Sequence, residues 1–142
     1  MVDADLVLKK LAFIETCVED LRRLARPALI ETDLREERFV VHTLQLAIQA
    51  ALDAASHVVS ARRLGEPQSN RELFDTLVRA GWLPAAQAPA LRNLAGFRNI
   101  VVHGYERVDL RIVRDVLDHR LGDLLAFVDA LRAALARDAD TR

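Results

Sequence analysis

Apolar side chains return every three or four residues along most of this chain, the spacing that lays one stripe along one face of a helix. Residues 3–25 carry it first, at Val7, Leu11, Ile14, Val18, Leu21 and Ala25. Asp3 or Asp5 can cap the start, and Pro27 bars further helix. A second run, Leu34, Val41, Leu44, Ile48, Ala51, Ala55 and Val58, predicts a helix from Thr32 or Asp33 to about Leu64. At ~1.5 Å per residue this is a rod of roughly 45 Å. Residues 65–70 read as a loop. A short helix is expected from Arg71 to about Ala80, capped by Asn70, with Leu73, Phe74, Leu77 and Val78 inward. Gly81 can close it in a left-handed turn, with Trp82 and Leu83 packed on that end. Pro84 and Pro89 precede a helix from about Ala90 through Val102, whose core positions are Leu91, Leu94, Phe97, Val101 and Val102. The last run, Leu110, Val113, Leu117, Leu121, Leu124, Val128, Leu131 and Leu135, predicts one long helix capped by Asp109. The polar tail, about 137–142, is expected to fray. No stretch alternates with period two for long enough to argue a strand. The pattern therefore predicts an all-α, up-and-down bundle of about five helices, in a single domain spanning 1–142.

The second helix carries a further stripe. His42, Gln45, Gln49, Asp53, Ser56 and Ser60 fall within about 80° of one another at ~100° per residue. The stripe is polar but mostly uncharged, unlike an ordinary solvated face. It suits either a hydrogen-bonded helix or subunit contact, or the wall of a cleft in which Asp53 pairs with an arginine.

Composition narrows the setting. The chain has 142 residues and a net charge of −1, so no global field draws in nucleic acid. It holds eighteen arginines and two lysines, Lys9 and Lys10, a bias that either codon usage or phosphate recognition would produce. Cys17 is the single cysteine, set among Phe13, Ile14, Val18 and Leu21, which suits an inert core thiol and a reducing cytosol. The N-terminus is acidic and lacks the order of a signal peptide, and no apolar run approaches the ~18 residues of a membrane span. A cytoplasmic protein with no membrane partner is expected. His42, His57, His103 and His119 show no metal-ligand spacing, and no glycine-rich phosphate loop is present, so neither a metal nor a nucleotide cofactor is expected.

The densest chemistry lies in residues 98–105, Arg-Asn-Ile-Val-Val-His-Gly-Tyr. An arginine keeps its charge at any working pH and its planar fork fits a phosphate. A histidine moves protons near neutrality. In a continuous helix Arg98 and His103 stand about 140° apart. Gly104 offers an exit, because it can end the helix in a left-handed turn and let the imidazole swing back. These groups suit metal-free RNA cleavage by 2′-hydroxyl attack, with His103 moving the proton and Arg98 neutralising the phosphoryl oxygens. One histidine cannot easily make both proton transfers, and a symmetric dimer would supply a second Arg98 and His103. Asn99 can orient His103 or the phosphate through its amide, and Tyr105 can hydrogen-bond the same phosphate. In the opposing account Arg98 merely pairs with Asp53 or Glu106 and His103 caps carbonyls.

Arg98, His103 and Tyr105 resemble the R-x4-H-x-Y signature of the HEPN superfamily, in its branch of HepT-like toxins, with Asn99 as the polar residue that often follows the arginine. The run 94–105, the helix bearing Gln45, Ala47, Asp53 and His57, and the segment Phe74, Leu77, Gly81 are similar to that branch too. The resemblance implies a homodimeric helical bundle with both motifs in a shared cleft, and a metal-independent ribonuclease toxin working through Arg98 and His103. It also implies a partner, a minimal nucleotidyltransferase (MNT) antitoxin that adds AMP from ATP to Tyr105. The alternative within the superfamily is a non-catalytic binding module, an accessory subunit of a nucleotidyltransferase.

Overall fold

The computed structural model describes residues 1–103 and 108–141, with 100–103 described by their backbone alone. Six α-helices and two 3-10 turns make up the secondary structure of the described residues, and no strand occurs among them. Helix α1 is Ala4–Leu24, and the carboxylate of Asp3 caps it by accepting from the Leu6 amide at 3.1 Å. Its stripe Val7, Leu11, Ile14, Val18 and Leu21 is buried, as the spacing predicts. A 3-10 turn at Pro27–Leu29 leads to α2, Leu34–Ala61, capped by Asp33 through the Arg35 amide at 2.9 Å.

Helix α2 is the axis of the bundle and touches every other α-helix. Small side chains make that possible: Ala47, Ala50, Ala51, Ala54 and Ala55 are all buried, so neighbours approach its backbone closely. Leu34, expected in the core stripe, opens the helix instead and is 59% exposed. The amide of Asp3 donates to His57 Nε2 at 2.9 Å, which sets the start of α1 beside the end of α2 and makes the two antiparallel.

Helix α3, Asn70–Arg79, is capped by Ser69 rather than Asn70. Ser69 Oγ accepts from the Glu72 amide at 3.1 Å, while the Glu72 carboxylate accepts from the Gln68 amide at 3.0 Å. Gly81 (φ 81°) closes the helix, and buried Trp82 donates its amide to the Leu77 carbonyl at 2.9 Å. A 3-10 turn at Ala85–Gln87 runs into α4, Ala88–His103. Pro89 therefore lies inside the first turn, where its missing N–H has no helical partner to lose. Leu91, Leu94 and Phe97 are buried as expected, whereas the side chains of Val101 and Val102 lie outside the described residues.

The single last helix predicted from residue 110 onward is two helices, α5 (Leu110–His119) and α6 (Leu121–Asp140). They break at Arg120, with φ −116° and ψ −4°. The break lets each half make its own attachment. Arg114 of α5 donates to the Pro27 carbonyl and to Glu31, both at 2.6 Å, in the link between α1 and α2. Arg132 of α6 forms a bidentate pair with Glu15 of α1, and Phe127 meets Phe74 of α3 edge to face at 5.7 Å. The expected frayed tail is also corrected. Helix α6 continues to Asp140, and Asp138, only 8% exposed, pairs with Arg62 beyond the end of α2 at 3.1 Å. No helix among the described residues is long and apolar enough to cross a membrane.

Candidate active site

Arg98 lies two residues past Gly96 in α4, half-buried on the side turned to α2. Its Nε and Nη2 both donate to Gln49 Oε1, at 3.1 and 2.8 Å. Gln49 in turn donates from Nε2 to Asp53 Oδ1 at 2.8 Å, one turn further along α2. Asp53 Oδ2 takes a contact from Lys10 Nζ of α1 at 3.4 Å. The result is a polar ladder, Arg98–Gln49–Asp53–Lys10, that crosses three helices.

The ladder follows from the sequence locally. Gln49 and Asp53 are four residues apart, so their side chains stack on one face of α2 and meet. The same stripe stays at the surface along its whole length. His42 and Gln45 line a groove of about 720 Å³ with Phe39 and Val108, and Ser56 and Ser60 are exposed. Within the described residues it is thus the wall of an open face rather than a contact sealed by another helix of the same chain.

The expected Asp53–arginine pair is corrected by this geometry. Gln49 stands between the two charges, and Asp53 is engaged by Lys10. Asn99 is exposed beside Arg98. Helix α4 is helical through His103, but the His103 imidazole, Gly104, Tyr105 and Glu106 lie outside the described residues. Arg98 and Asp53 are joined through Gln49, while Asn99 follows in α4 as an exposed residue. Gln49 and Lys10 are the residues that sequence reasoning did not assign to the site. Gln49 already stood in the polar stripe, and its four-residue spacing to Asp53 was the available signal.

Arg98 is not one of the arginines that pair with a carboxylate among the described residues. Among the described residues seven arginines pair with carboxylates: Arg23, Arg62, Arg92, Arg111, Arg114, Arg120 and Arg132. The hydrogen-bond partner of Arg98 is the neutral amide of Gln49, so no carboxylate of the described residues cancels its charge at contact distance. The remaining histidines of the described residues have plainer settings: His57 accepts from the Asp3 amide, and His42 and His119 are exposed. No three His, Cys, Asp or Glu side chains among the described residues gather as a metal site.

The described residues form an all-helical bundle with an arginine on its polar face, five residues before a histidine in the same helix. The chain belongs to the HepT-like ribonuclease family: the family model described as Ribonuclease HepT-like matches residues 14–131. It is 30% identical to the mRNA nuclease HepT of Shewanella oneidensis over 130 residues, covering 91% of this chain and 98% of that protein. It is 24% identical to the tRNA nuclease HepT of Aphanizomenon flos-aquae over 110 residues, 76% of this chain and 75% of the relative. Among solved structures it is similar to the tri-AMPylated HEPN toxin of S. oneidensis in complex with MNT antitoxin. That match has a TM-score of 0.82 at 30% identity and covers 91% of this chain and 98% of the toxin. The Bacillus subtilis cytosolic protein YutE shares the fold with a TM-score of 0.87 at 19% identity, covering 96% of this chain and 93% of that one.

Proposed function

We propose that this chain is the toxin of a toxin–antitoxin pair and a metal-independent endoribonuclease. The observation that carries the proposal is Arg98, held at a polar face by an uncharged partner, in a member of the HepT-like family. A ribose 2′-oxygen attacks the adjacent phosphorus, the bond to the 5′-oxygen breaks, and the products are a 2′,3′-cyclic phosphate and a 5′-hydroxyl. His103 takes the 2′-proton or gives one to the leaving oxygen. Arg98 neutralises charge that grows on the phosphoryl oxygens as the pentacoordinate state forms. In this reading the amide of Asn99 hydrogen-bonds the same phosphate or orients His103. Two copies in a homodimer bring a second Arg98 and His103 to the cleft, so that one imidazole serves as base and the other as acid.

The relative from S. oneidensis is a toxin that carries AMP and binds an MNT antitoxin. For this chain the corresponding partner is a nucleotidyltransferase of that kind, and Tyr105 is the acceptor. The phenolic oxygen attacks the α-phosphorus of ATP and pyrophosphate leaves. The added phosphate brings negative charge beside Arg98 and competes with the RNA backbone. A cytoplasmic setting accords with RNA and ATP as the molecules met. The two nuclease relatives act on mRNA and on tRNA, so the family leaves the RNA class of this chain open.

The test uses purified protein and RNA in excess chelator, with product ends resolved. Wild type should leave cyclic-phosphate ends, and Arg98→Ala and His103→Ala should lose cleavage at least a hundredfold while both remain folded. Undiminished cleavage by both variants would overturn the mechanism. RNA binding by wild type with no cleavage at any concentration would make the chain a binding module instead.

A further inference from the structure

The ladder beneath Arg98 has a chemical logic of its own. Arginine can only donate and an ionised carboxylate can only accept. A glutamine set between them has one orientation that satisfies both, with its oxygen to Arg98 and its nitrogen to Asp53. That is the arrangement found, at 2.8 and 3.1 Å on one side and 2.8 Å on the other. Gln49 Oε1 takes the Nε–Nη2 edge of the guanidinium and leaves the Nη1 edge outside the clamp. The ladder holds two cations, one carboxylate and one neutral amide, so it keeps a net positive charge. Lys10 meets Asp53 at Oδ2, the oxygen that Gln49 does not use.

We infer that Gln49 is a positioning residue that fixes Arg98 without neutralising it, and that Asp53 acts on Arg98 only through Gln49. A carboxylate at position 49 would grip the guanidinium more strongly, since charge-assisted hydrogen bonds are the stronger kind. It would also cancel the charge that a substrate phosphate needs. The neutral amide gives geometry and withholds the competing anion, which Asp53 and Lys10 keep one residue away. This inference rests on the ribonuclease reading for its consequence, though not for the clamp itself.

The decisive variant moves the negative charge by one link and changes nothing else in the ladder. In Gln49→Glu/Asp53→Asn the new Glu accepts from Arg98 and from the Asn amide, so the ladder retains its hydrogen bonds and its total charge. The double variant should keep its thermal midpoint within a few degrees of wild type. Its kcat/KM for RNA should fall at least tenfold, mainly through a higher KM, and its affinity should depend less steeply on salt. Asp53→Asn alone should lose much less, because Arg98 still faces a neutral atom. A double variant as active as Asp53→Asn would overturn the inference.

A second measurement involves no RNA. In ¹⁵N-labelled protein the Arg98 Nε proton, assigned by its loss in Arg98→Lys, should exchange with water far more slowly than that of exposed Arg63. Gln49→Met should remove that protection while the backbone spectrum stays folded. Fast exchange in wild type would show that there is no clamp. If wild type cuts no RNA, the ribonuclease reading fails by itself and the clamp is judged by this exchange rate.

Discussion

Cys17 shows how far one side chain is governed by its neighbours. It is 4% exposed on the inner face of α1, and burial, with the Asp20 charge second, pushes its thiol pKa up. The thiolate needed for reaction is therefore scarce at neutral pH. Iodoacetamide should leave native protein unlabelled for hours and label it promptly in denaturant, and fast native labelling would contradict this packing. Gly96 gives a second test. A Cβ there would meet Arg71 Nη2 at 2.5 Å, but that atom ends a long, flexible side chain that can move aside. Glycine inside a helix costs roughly 0.5–1 kcal/mol relative to alanine. Gly96→Ala should accordingly leave stability unchanged or raise Tm by up to a few degrees in a thermal scan. A marked loss would mean that Arg71 is held where it lies. Cys17 was legible because its apolar neighbours in sequence are its neighbours in space. Gln49 was not, since nothing local tells an amide facing water from one clamped between an arginine 49 residues away and a carboxylate.

At the scale of elements, the six helices were legible wherever an apolar stripe ended at a cap or a proline. The break at Arg120 was not, because Leu117, Leu121 and Leu124 keep their three-four spacing straight through it. A one-residue kink leaves the periodic signal in phase, and α6 has no side-chain cap at its start to mark the boundary. The tail was misread for a related reason. Polar residues at a terminus usually fray, yet here Asp138 packs at 8% exposure and pairs with Arg62, a contact between helix ends 76 residues apart in the chain. Arg62→Ala removes that guanidinium from a buried carboxylate and should cost about 1–2 kcal/mol, read as a fall of several degrees in Tm. The pair Glu15–Arg132 joins α1 to α6 in a more exposed place, with side chains 42% and 37% accessible. The Arg132 hydrogen bond is the main cause that holds the Glu15 pKa below its ordinary 4.5, against an opposing effect of burial. A lowered carboxylate pKa means stability that is present above pH 4.5 and lost as pH falls through the lowered value. Solvent screening keeps the contribution to at most about 1 kcal/mol. Glu15→Gln should make the fall of Tm below pH 4.5 slightly shallower, and an unchanged slope would show that the pair adds nothing.

For the whole molecule, the question is how a chain of net charge −1 handles a polyanion. Seven of its described arginines pair with its own acids and the net charge is slightly negative, so long-range attraction is weak and binding has to come from local cations. One copy supplies one Arg98 and one His103, whereas the transfer reaction asks for a base, an acid and charge neutralisation together. In the proposed homodimer two copies around one cleft meet that demand, and this has a consequence that neither residue shows alone. An Arg98→Ala homodimer holds two imidazoles and no motif guanidinium, and a His103→Ala homodimer holds the reverse. Dissociating and remixing them yields about half heterodimers by random pairing, each with one Arg98 and one His103. If the cleft is shared, each heterodimer joins one guanidinium and one imidazole at a single phosphate, with water left to make the second proton transfer, so the mixture should cut RNA faster than either parent yet well below wild type. The gain should grow with the time allowed for subunit exchange and vanish if the parents are crosslinked beforehand. If each copy works as a closed unit, every site in the mixture lacks one group or the other, and no order of mixing restores activity.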